Sequence, residues 1–335
     1  MFSSGSTGDA KGVRLSYRQL LNNLRQIAER SELRATDRSL SWLPLTHDMG
    51  LVLFHLCHTL AGLRQYKTTP LHFARDPSVF FAQIGDLGIT LSGMPNFAFD
   101  QLLRAANRQG GDAPRWDLRS LRLIYNGAEP IDPSLCRRFA QRMQEFGLPT
   151  GAISPGWGIA EACVVATQFP HGQLALSDDL PSRWIDPLSA MAPGSKVQLC
   201  APQTPGAREL LSLGPLMEGM ALRCLDDAGQ PLAEGTLGHL ELRGPNVTRG
   251  YFGREEQAWC PTGDLGFVID GEVYLNGRAK DVLFINGRNH FSNDLEAVLI
   301  EALDWPAGQL AVVGYTAPGA AREQVVVFFR QRRPR

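Results

Sequence analysis

The first residues of the chain combine three kinds of group that bind phosphate: hydroxyls, flexible glycines and a lysine. They are Ser3, Ser4, Gly5, Ser6, Thr7, Gly8 and Lys11. Glycines let successive backbone amides turn toward one anion, the hydroxyls add donors, and Lys11 adds a positive charge at the rim. Ser16 can cap a helix just behind this stretch, and the N-terminus of a helix favours anions. The stretch therefore predicts a phosphate-binding loop, although it lacks the Walker A spacing and a plain Gly/Ser turn has a similar composition.

A second set of possible ligands, His47, His55, Cys57 and His58, lies in one short segment. His55 and His58 share a face of an apolar helix that the sequence predicts over about 51–63. No pattern of supporting carboxylates accompanies them, and most of their neighbours are apolar. We therefore expect these side chains to pack in a core and not to bind a metal.

The composition of the chain is that of an ordinary globular protein, whose helices and strands must position these residues. Its 335 residues are 44% hydrophobic and 20% charged, enough for two or more structural units with cores. The net charge of −1 offers no basic field for nucleic acid. The six cysteines form no Cys-x-x-Cys pair, which suits a reducing compartment, and no apolar run is long enough to cross a bilayer. The composition predicts a cytoplasmic protein without a membrane span or a nucleic-acid partner.

Helices and strands alternate in the predicted pattern between residues 76 and 154. Helices at about 77–86, 96–106 and 133–146 alternate with strands at about 89–92, 121–125 and 152–154. Such alternation predicts an α/β fold with a largely parallel sheet that is covered on both faces. Ligands of these sheets bind beyond the carboxyl ends of the strands. We therefore expect functional residues in the loops 126–130 and 156–161.

The later half of the chain has a different texture. Residues 166–211 show no clear periodicity, which indicates a functional elaboration or an irregular loop. From about residue 213, short strands separated by Asp-Gly and other Gly-rich turns predict a smaller, mostly antiparallel sheet.

The opening loop resembles the pyrophosphate-binding loop of the adenylate-forming enzymes, which include acyl-CoA synthetases, fatty acyl-AMP ligases and the adenylation domains of peptide synthetases. Further landmarks similar to those of this family follow in the family's order up to Glu296. They are 43–50 (Leu-Pro-Leu-Thr-His-Asp-Met-Gly), 126–130 (Asn-Gly-Ala-Glu-Pro), 156–161 (Gly-Trp-Gly-Ile-Ala-Glu), 261–266 (Pro-Thr-Gly-Asp-Leu-Gly), 277–281 (Gly-Arg-Ala-Lys-Asp) and 287–296. The resemblance covers nearly the whole chain and implies an adenylate-forming core that uses ATP and Mg²⁺.

The resemblance also implies roles for individual residues. The loop would close over the β- and γ-phosphates of ATP with Lys11 at its rim, and Thr7 and Glu161 would hold Mg²⁺. Together with Lys11 and Glu161, His47 would belong to the catalytic group, because it would lie beside the acyl pocket. Lys280 would mark the hinge on which a small C-terminal domain rotates.

The adenosine would be held by residues from four separate segments. They would be Gly127, Ala128, Glu129, Trp157, Gly158, Asp264 and Arg278. The first three would border the purine and Trp157 would stack on it, as a planar ring can. Asp264 would accept hydrogen bonds from both ribose hydroxyls, and Arg278 would contact ribose or phosphate.

These landmarks predict three units: a partial N-terminal α/β core over 1–212, a β subdomain over 213–279, and a hinge with the start of an α+β lid domain over 280–335. The chain resembles family members truncated at both ends, and no lysine follows Lys280, where the family places its acyl-activating lysine. Segments 96–100, 126–130 and 166–211 are similar to the fatty acyl-AMP ligase branch.

The resemblance implies ATP-dependent activation of a carboxylic acid, with a fatty acid delivered to an acyl carrier protein as the preferred substrate pair. Coenzyme A as the acceptor, an aryl or amino-acid adenylation domain, and a non-catalytic nucleotide-binding remnant are the alternatives. An amino-acid site would need an acidic residue for the ammonium group, and Asp100 is not obviously placed for one.

Overall fold

The structure, a computed structural model, describes residues 1–3, 11–107, 116–174, 180–285, 288–303, 305–306, 309–315 and 324–330. Its strands are β1 (Phe2–Ser3), β2 (Lys11–Gly12), β3 (Arg38–Ser41), β4 (Arg64–Lys67), β5 (Leu91–Met94), β6 (Leu123–Asn126), β7 (Ile153–Trp157), β8 (Thr167–Gln168), β9 (Ser182–Ile185), β10 (Arg208–Leu211), β11 (Ala221–Leu225), β12 (Gly238–Arg243), β13 (Cys260–Ile269), β14 (Glu272–Arg278), β15 (Val282–Ile285), β16 (Arg288–Phe291), β17 (Leu310–Tyr315) and β18 (Gln324–Phe329).

Its α-helices are α1 (Tyr17–Arg30), α2 (His58–Leu60), α3 (Pro70–Arg75), α4 (Pro77–Leu87), α5 (Asn96–Asn107), α6 (Pro133–Gln144) and α7 (Ser292–Leu303). A π-helical segment covers Met49–Cys57, and 3₁₀ turns cover Ala160–Ala162, Pro187–Ala190 and Ala279–Asp281. No helix within the described ranges is long and apolar enough to span a bilayer.

A six-stranded sheet in the order β4-β3-β5-β6-β7-β8 organises the N-terminal part. The strands from β4 to β7 are parallel, and β8 pairs antiparallel with β7. Side chains alternate across β6: Ile124 packs in the core below helices α4, α5 and α6, whereas Leu123 and Tyr125 pack below α1 and the π-helical segment. Both faces of the sheet are thus covered, and the predicted α/β class is confirmed.

Helix α1 begins where the sequence predicted. The Ser16 hydroxyl accepts a hydrogen bond from the Gln19 N–H at 3.2 Å, and the Gln19 side chain accepts one from the Ser16 N–H at 2.8 Å. This reciprocal arrangement is a capping box, which satisfies two backbone donors at the helix start.

The predicted helix over about 51–63 is present, but most of it is π-helical and it starts two residues earlier. The segment begins at Met49, where the Asp48 carboxylate accepts the Met49 N–H at 2.7 Å, and its first nine residues are π-helical. Gly50 makes this start possible, because a Cβ there would lie 2.2 Å from the Pro44 carbonyl oxygen. Residues 58–60 then form α2.

A buried ion pair connects the ends of α1, β3 and β6. The Asp37 carboxylate contacts the Arg122 guanidinium at 2.6 Å, and the two side chains are 3% and 17% exposed. Burial disfavours the charged carboxylate, but hydrogen bonds from Arg122, the Arg34 N–H and Thr90 outweigh it and lower the pKa of Asp37. The pair therefore stabilises the fold only while Asp37 is ionised.

The second half contains the predicted antiparallel sheet, in the order β11-β12-β13-β14. The expectation that 166–211 is irregular is wrong in part, since β9 and β10 pair antiparallel within it. Ile185 and Leu210 of this hairpin pack against Phe267 and Tyr274 of the larger sheet, so burial of apolar area holds the hairpin in place. Beyond the sheet, β15 pairs with β16, α7 follows, and β17 pairs with β18.

Candidate active site

A cavity of about 680 Å³ lies beyond the carboxyl ends of β3, β6 and β7, where the α/β pattern predicted a ligand site. Its wall includes most of the described residues that the sequence singled out. They are Lys11, His47, Gly127, Ala128, Trp157, Gly158, Glu161, Arg278 and Lys280. These residues come from five distant segments of the chain, and the fold brings them to one space.

The opening loop starts and ends on a short antiparallel pair, with Phe2 opposite Gly12 and Ser3 opposite Lys11. Two short strands thus flank the loop. The predicted phosphate ligands Ser4, Gly5, Ser6, Thr7 and Gly8 lie outside the described residues, as does the side chain of Ser3.

The Lys11 ammonium lies over the ring of Tyr251, 5.4 Å from its centroid. This distance is within the range of a cation–π interaction. Lys11 and Tyr251 both line the cavity, so the lysine is held at its wall.

Glu161 lies in the 3₁₀ turn after β7 and is only 8% exposed. Its carboxylate accepts a hydrogen bond from the Tyr251 hydroxyl at 2.8 Å, and its backbone carbonyl accepts one from the Thr248 N–H at 2.7 Å. The described part of the chain provides no group of three or more His, Cys, Asp or Glu side chains that could enclose a metal. A single carboxylate suits Mg²⁺, which commonly binds one or two carboxylates together with phosphates of the substrate.

Two glycines let the backbone of the loops 126–130 and 156–161 lie close to neighbouring backbone. A Cβ on Gly158 would lie 1.5 Å from the Val164 carbonyl oxygen, and one on Gly127 would lie 2.9 Å from that of Gly156. Ala128 adopts a φ of 73°, a strained value for a residue with a side chain. The backbone at these positions is therefore fixed by close contacts beside the cavity.

Trp157 and Asp264 form one hydrogen-bonded unit with Arg278. The indole N–H of Trp157 donates to Asp264 Oδ2 at 3.0 Å, and Arg278 Nε contacts Asp264 Oδ1 at 2.9 Å. Asp264 is 4% exposed and does not line the cavity, although its neighbours Thr262 and Gly263 do. Burial raises the pKa of Asp264, and the charge of Arg278 opposes the rise.

The resemblance implied that Glu129 borders the purine, but its side chain lies elsewhere. It is absent from the cavity wall, and its carboxylate accepts the backbone N–H of Phe97 at the start of α5. Burial raises the pKa of Glu129, and hydrogen bonds from the Phe97 and Asn96 amides oppose the rise. A carboxylate at a helix N-terminus satisfies donors that would otherwise lack partners.

His47 and Lys280 lie at the cavity wall on separate segments. The His47 ring lies 2.8 Å from the Asp48 carboxylate, and this hydrogen bond raises the pKa of His47. Lys280 lies in the 3₁₀ turn that follows β14.

Of the remaining histidines of the same segment, one lies in the core and the other is only partly buried. His58 is fully buried, its ring packs edge-on against Phe54, and burial lowers its pKa to about 3. His55 lies 3.4 Å from the Gln65 amide.

Sequence reasoning missed several polar residues of the cavity wall: Gln168, Tyr251 and Arg254. Tyr251 and Arg254 each follow a glycine in a Gly-rich segment, and such a local signal is weak. Gln168 reaches the cavity only through the pairing of strands.

Comparisons with known proteins agree with this geometry. A family model described as "AMP-binding enzyme" matches residues 1–252. The protein named long-chain-fatty-acid–AMP ligase FadD32 of Mycolicibacterium smegmatis is 31% identical over 335 residues, covering 90% of this chain and 51% of that protein. Putative ligase Rv1013 of Mycobacterium tuberculosis is 32% identical over 305 residues, covering 88% of this chain and 54% of that protein. The chain thus spans about half the length of the curated relatives it matches.

Solved structures give the same result for the fold. A structure from a study of fatty acyl-adenylate ligases from E. coli and L. pneumophila superimposes with a TM-score of 0.87 at 28% identity, covering 99% of this chain and 59% of that chain. The fatty acyl-adenylate ligase from L. pneumophila in complex with acyl adenylate and pyrophosphate gives a TM-score of 0.76 at 27% identity, covering 98% of this chain and 58% of that chain. The predicted family resemblance and fold are confirmed.

Proposed function

Because the chain belongs to the AMP-binding enzyme family, we propose that it carries the nucleotide and acyl sites for ATP-dependent activation of a carboxylic acid. The acid's carboxylate attacks the α-phosphorus of ATP, the bond to the β-phosphate oxygen breaks, and pyrophosphate leaves with an acyl-adenylate as the other product. The observation that carries the proposal is the convergence of Lys11, Trp157 and Glu161, from three segments, on one cavity.

The residues of the wall suit a nucleoside triphosphate. The Lys11 ammonium and the Arg278 guanidinium supply positive charge and donors for phosphate oxygens. The Trp157 ring supplies a planar surface for the purine. Catalysis by such a site consists mainly of alignment and of charge stabilisation near the transferred group.

Asp264 is proposed to bind the ribose even though both of its oxygens already have partners. Each carboxylate oxygen can accept two hydrogen bonds, so one site per oxygen remains after the bonds to Trp157 and Arg278. The same bonds fix the orientation of the carboxylate, which reduces the cost of binding.

Mg²⁺ is proposed as the cofactor, with Glu161 as its protein ligand among the described residues. Its single buried carboxylate and an adjacent space for phosphates fit this ion. When bound, the ion would neutralise charge on the phosphate oxygens. Thr7 remains a predicted second ligand.

A fatty acid is the proposed substrate. Met49, Leu53 and Val164 give the cavity an apolar part beside His47, which suits an alkyl chain. The alternative of an amino acid is less well supported, because the carboxylate of Asp100 pairs with Arg104 at 2.8 Å and does not line the cavity. The names of relatives as long-chain-fatty-acid–AMP ligases also support a fatty acid.

The thiol of an acyl carrier protein's phosphopantetheine is the proposed acceptor, with coenzyme A as the alternative. Lys280 is proposed as the hinge, and the three units 1–212, 213–279 and 280–335 remain the proposed domains. In this scheme the turn at 279–281 lets the C-terminal unit rotate between the two half-reactions.

Acid-dependent exchange of radiolabelled pyrophosphate into ATP tests the proposal. Because no lysine follows Lys280 in this chain, we expect slow exchange, which a long-chain fatty acid supports better than aryl or amino acids do. Lys11→Ala should reduce it, whereas replacement of the exposed Lys196, which does not line the cavity, should not. A chain that binds ATP but shows no exchange with any carboxylic acid tested would favour the non-catalytic alternative.

A further inference from the structure

We propose that Tyr251 is a positioning residue that orients the Glu161 carboxylate toward Mg²⁺ and holds Lys11 at the phosphates. This inference rests on the proposed function, which supplies the ligand. The Tyr251 hydroxyl donates to Glu161 Oε1 at 2.8 Å, and the Lys11 Nζ lies 5.4 Å from the ring centroid. The tyrosine thus contacts both charged groups that the reaction requires, one through its hydroxyl and one through its ring.

The group that donates the hydrogen bond to Glu161 is a neutral hydroxyl and not a cation. Tyrosine is a neutral donor, so it fixes one oxygen of Glu161 without neutralising the carboxylate. Within the described ranges Glu161 forms no ion pair, so no protein cation occupies its carboxylate.

The backbone around Tyr251 connects the same two parts of the site. Val13, next to the opening loop, forms an antiparallel bridge with Tyr251, and the Phe252 N–H donates to the Gly12 carbonyl at 2.7 Å. On the other side, the Thr248 N–H donates to the Glu161 carbonyl at 2.7 Å. The segment 248–252 therefore connects the strand that follows the loop to the turn that carries Glu161.

A second cation shares the ring. Arg254 Cζ lies 5.9 Å from the centroid of Tyr251, and Arg254 also lines the cavity. Lys11 and Arg254 therefore bring two positive charges to one part of the cavity wall, where they suit the phosphates of a nucleotide.

Tyr251→Phe isolates the hydroxyl, because the ring that contacts Lys11 and Arg254 remains. Loss of a group that orients a metal ligand typically costs about 10- to 100-fold in metal affinity. We therefore expect the Mg²⁺ concentration that half-saturates the ATP complex to rise by about that factor in isothermal titration of the full chain, while binding of AMP without metal is unchanged. Tyr251→Leu also removes the ring and should weaken binding of ATP in the absence of metal.

Tyr274→Phe is a matched control. Its hydroxyl also donates to a glutamate, Glu272, at 3.1 Å, but neither residue lines the cavity. We expect its Mg²⁺ dependence to match that of the wild-type chain.

The outcomes separate the two proposals. A wild-type chain that binds neither AMP nor MgATP would overturn the proposed function and the inference with it. A wild-type chain that binds MgATP, with Tyr251→Phe and Tyr274→Phe showing the same Mg²⁺ dependence, would overturn the role of Tyr251 alone.

Discussion

Replacing Trp157 by phenylalanine separates the two contributions of this side chain. The phenyl ring keeps an aromatic surface at the cavity, while the indole N–H that donates to Asp264 at 3.0 Å is lost. Asp264 is only 4% exposed, so water cannot readily replace this donor. A hydrogen bond to a charged group contributes about 1.5–3 kcal/mol, and the space left by the smaller ring costs about 1–2 kcal/mol. We therefore expect the free energy of unfolding to fall by about 2.5–5 kcal/mol.

The same change should weaken nucleotide binding. The Asp264 carboxylate loses one of its two fixed partners, so its orientation toward the ribose is less defined. A loss of about 1.4 kcal/mol in binding corresponds to a tenfold weaker affinity, and we expect at least this loss for AMP. Urea denaturation measures the first effect, and calorimetric titration with AMP measures the second.

Trp259→Phe provides the comparison for Trp157→Phe. The Trp259 ring lies 4.5 Å from the guanidinium of Arg223 and 4.6 Å from that of Arg243, and it does not line the cavity. We expect this variant to bind AMP like the wild-type chain. Equal stability and equal AMP affinity for the two variants would refute the coupling of Trp157 to Asp264.

Three further changes follow from the structure. Asp37→Asn leaves the buried Arg122 without its charged partner and should cost about 3–5 kcal/mol in the free energy of unfolding. The folded pKa of Asp37 is lowered, so this stability is present above the ordinary carboxyl pKa of about 4 and is lost as the pH falls through the folded pKa. Urea denaturation should therefore show less acid sensitivity in the variant than in the wild-type chain. Gly158→Ala places a Cβ where the Val164 carbonyl lies, so the turn must shift at a cost of about 1–3 kcal/mol in thermal or urea unfolding, with weaker MgATP binding in calorimetry. Glu161→Gln keeps an acceptor for its tyrosine partner but removes the charge, so Mg²⁺ should no longer increase the affinity for ATP, while metal-free AMP binding persists.

The sequence predicted the parts of the fold that depend on local patterns. Ser16 and Gln19 specify a helix start through groups three residues apart, and the alternation of Leu123, Ile124 and Tyr125 specifies a strand buried on both faces. Strands β9 and β10 were not predicted, because each is four residues long and its pairing partner lies more than twenty residues away.

Side-chain directions within the site were less predictable than the segments that carry them. Glu129 lies in the predicted loop, yet its carboxylate turns to the amides that begin α5. Tyr251 reaches Glu161 only because the chain around residue 250 pairs with the strand after the opening loop. Such contacts depend on tertiary packing between segments about ninety and more than two hundred residues apart, for which one sequence contains no periodic signal.

The most direct test of the proposed function is the thermal stabilisation of the chain by non-hydrolysable acyl-adenylate mimics that carry a long alkyl, an aryl or an aminoacyl group. A ligand that binds only the folded state adds about 2.7 kcal/mol of stability at a hundredfold excess over its Kd. We predict that the long-alkyl mimic stabilises the chain by about this amount and more than the other two. Stabilisation by none of the mimics in a folded sample, or by the aminoacyl mimic alone, would contradict the proposal of a fatty acyl-adenylate site.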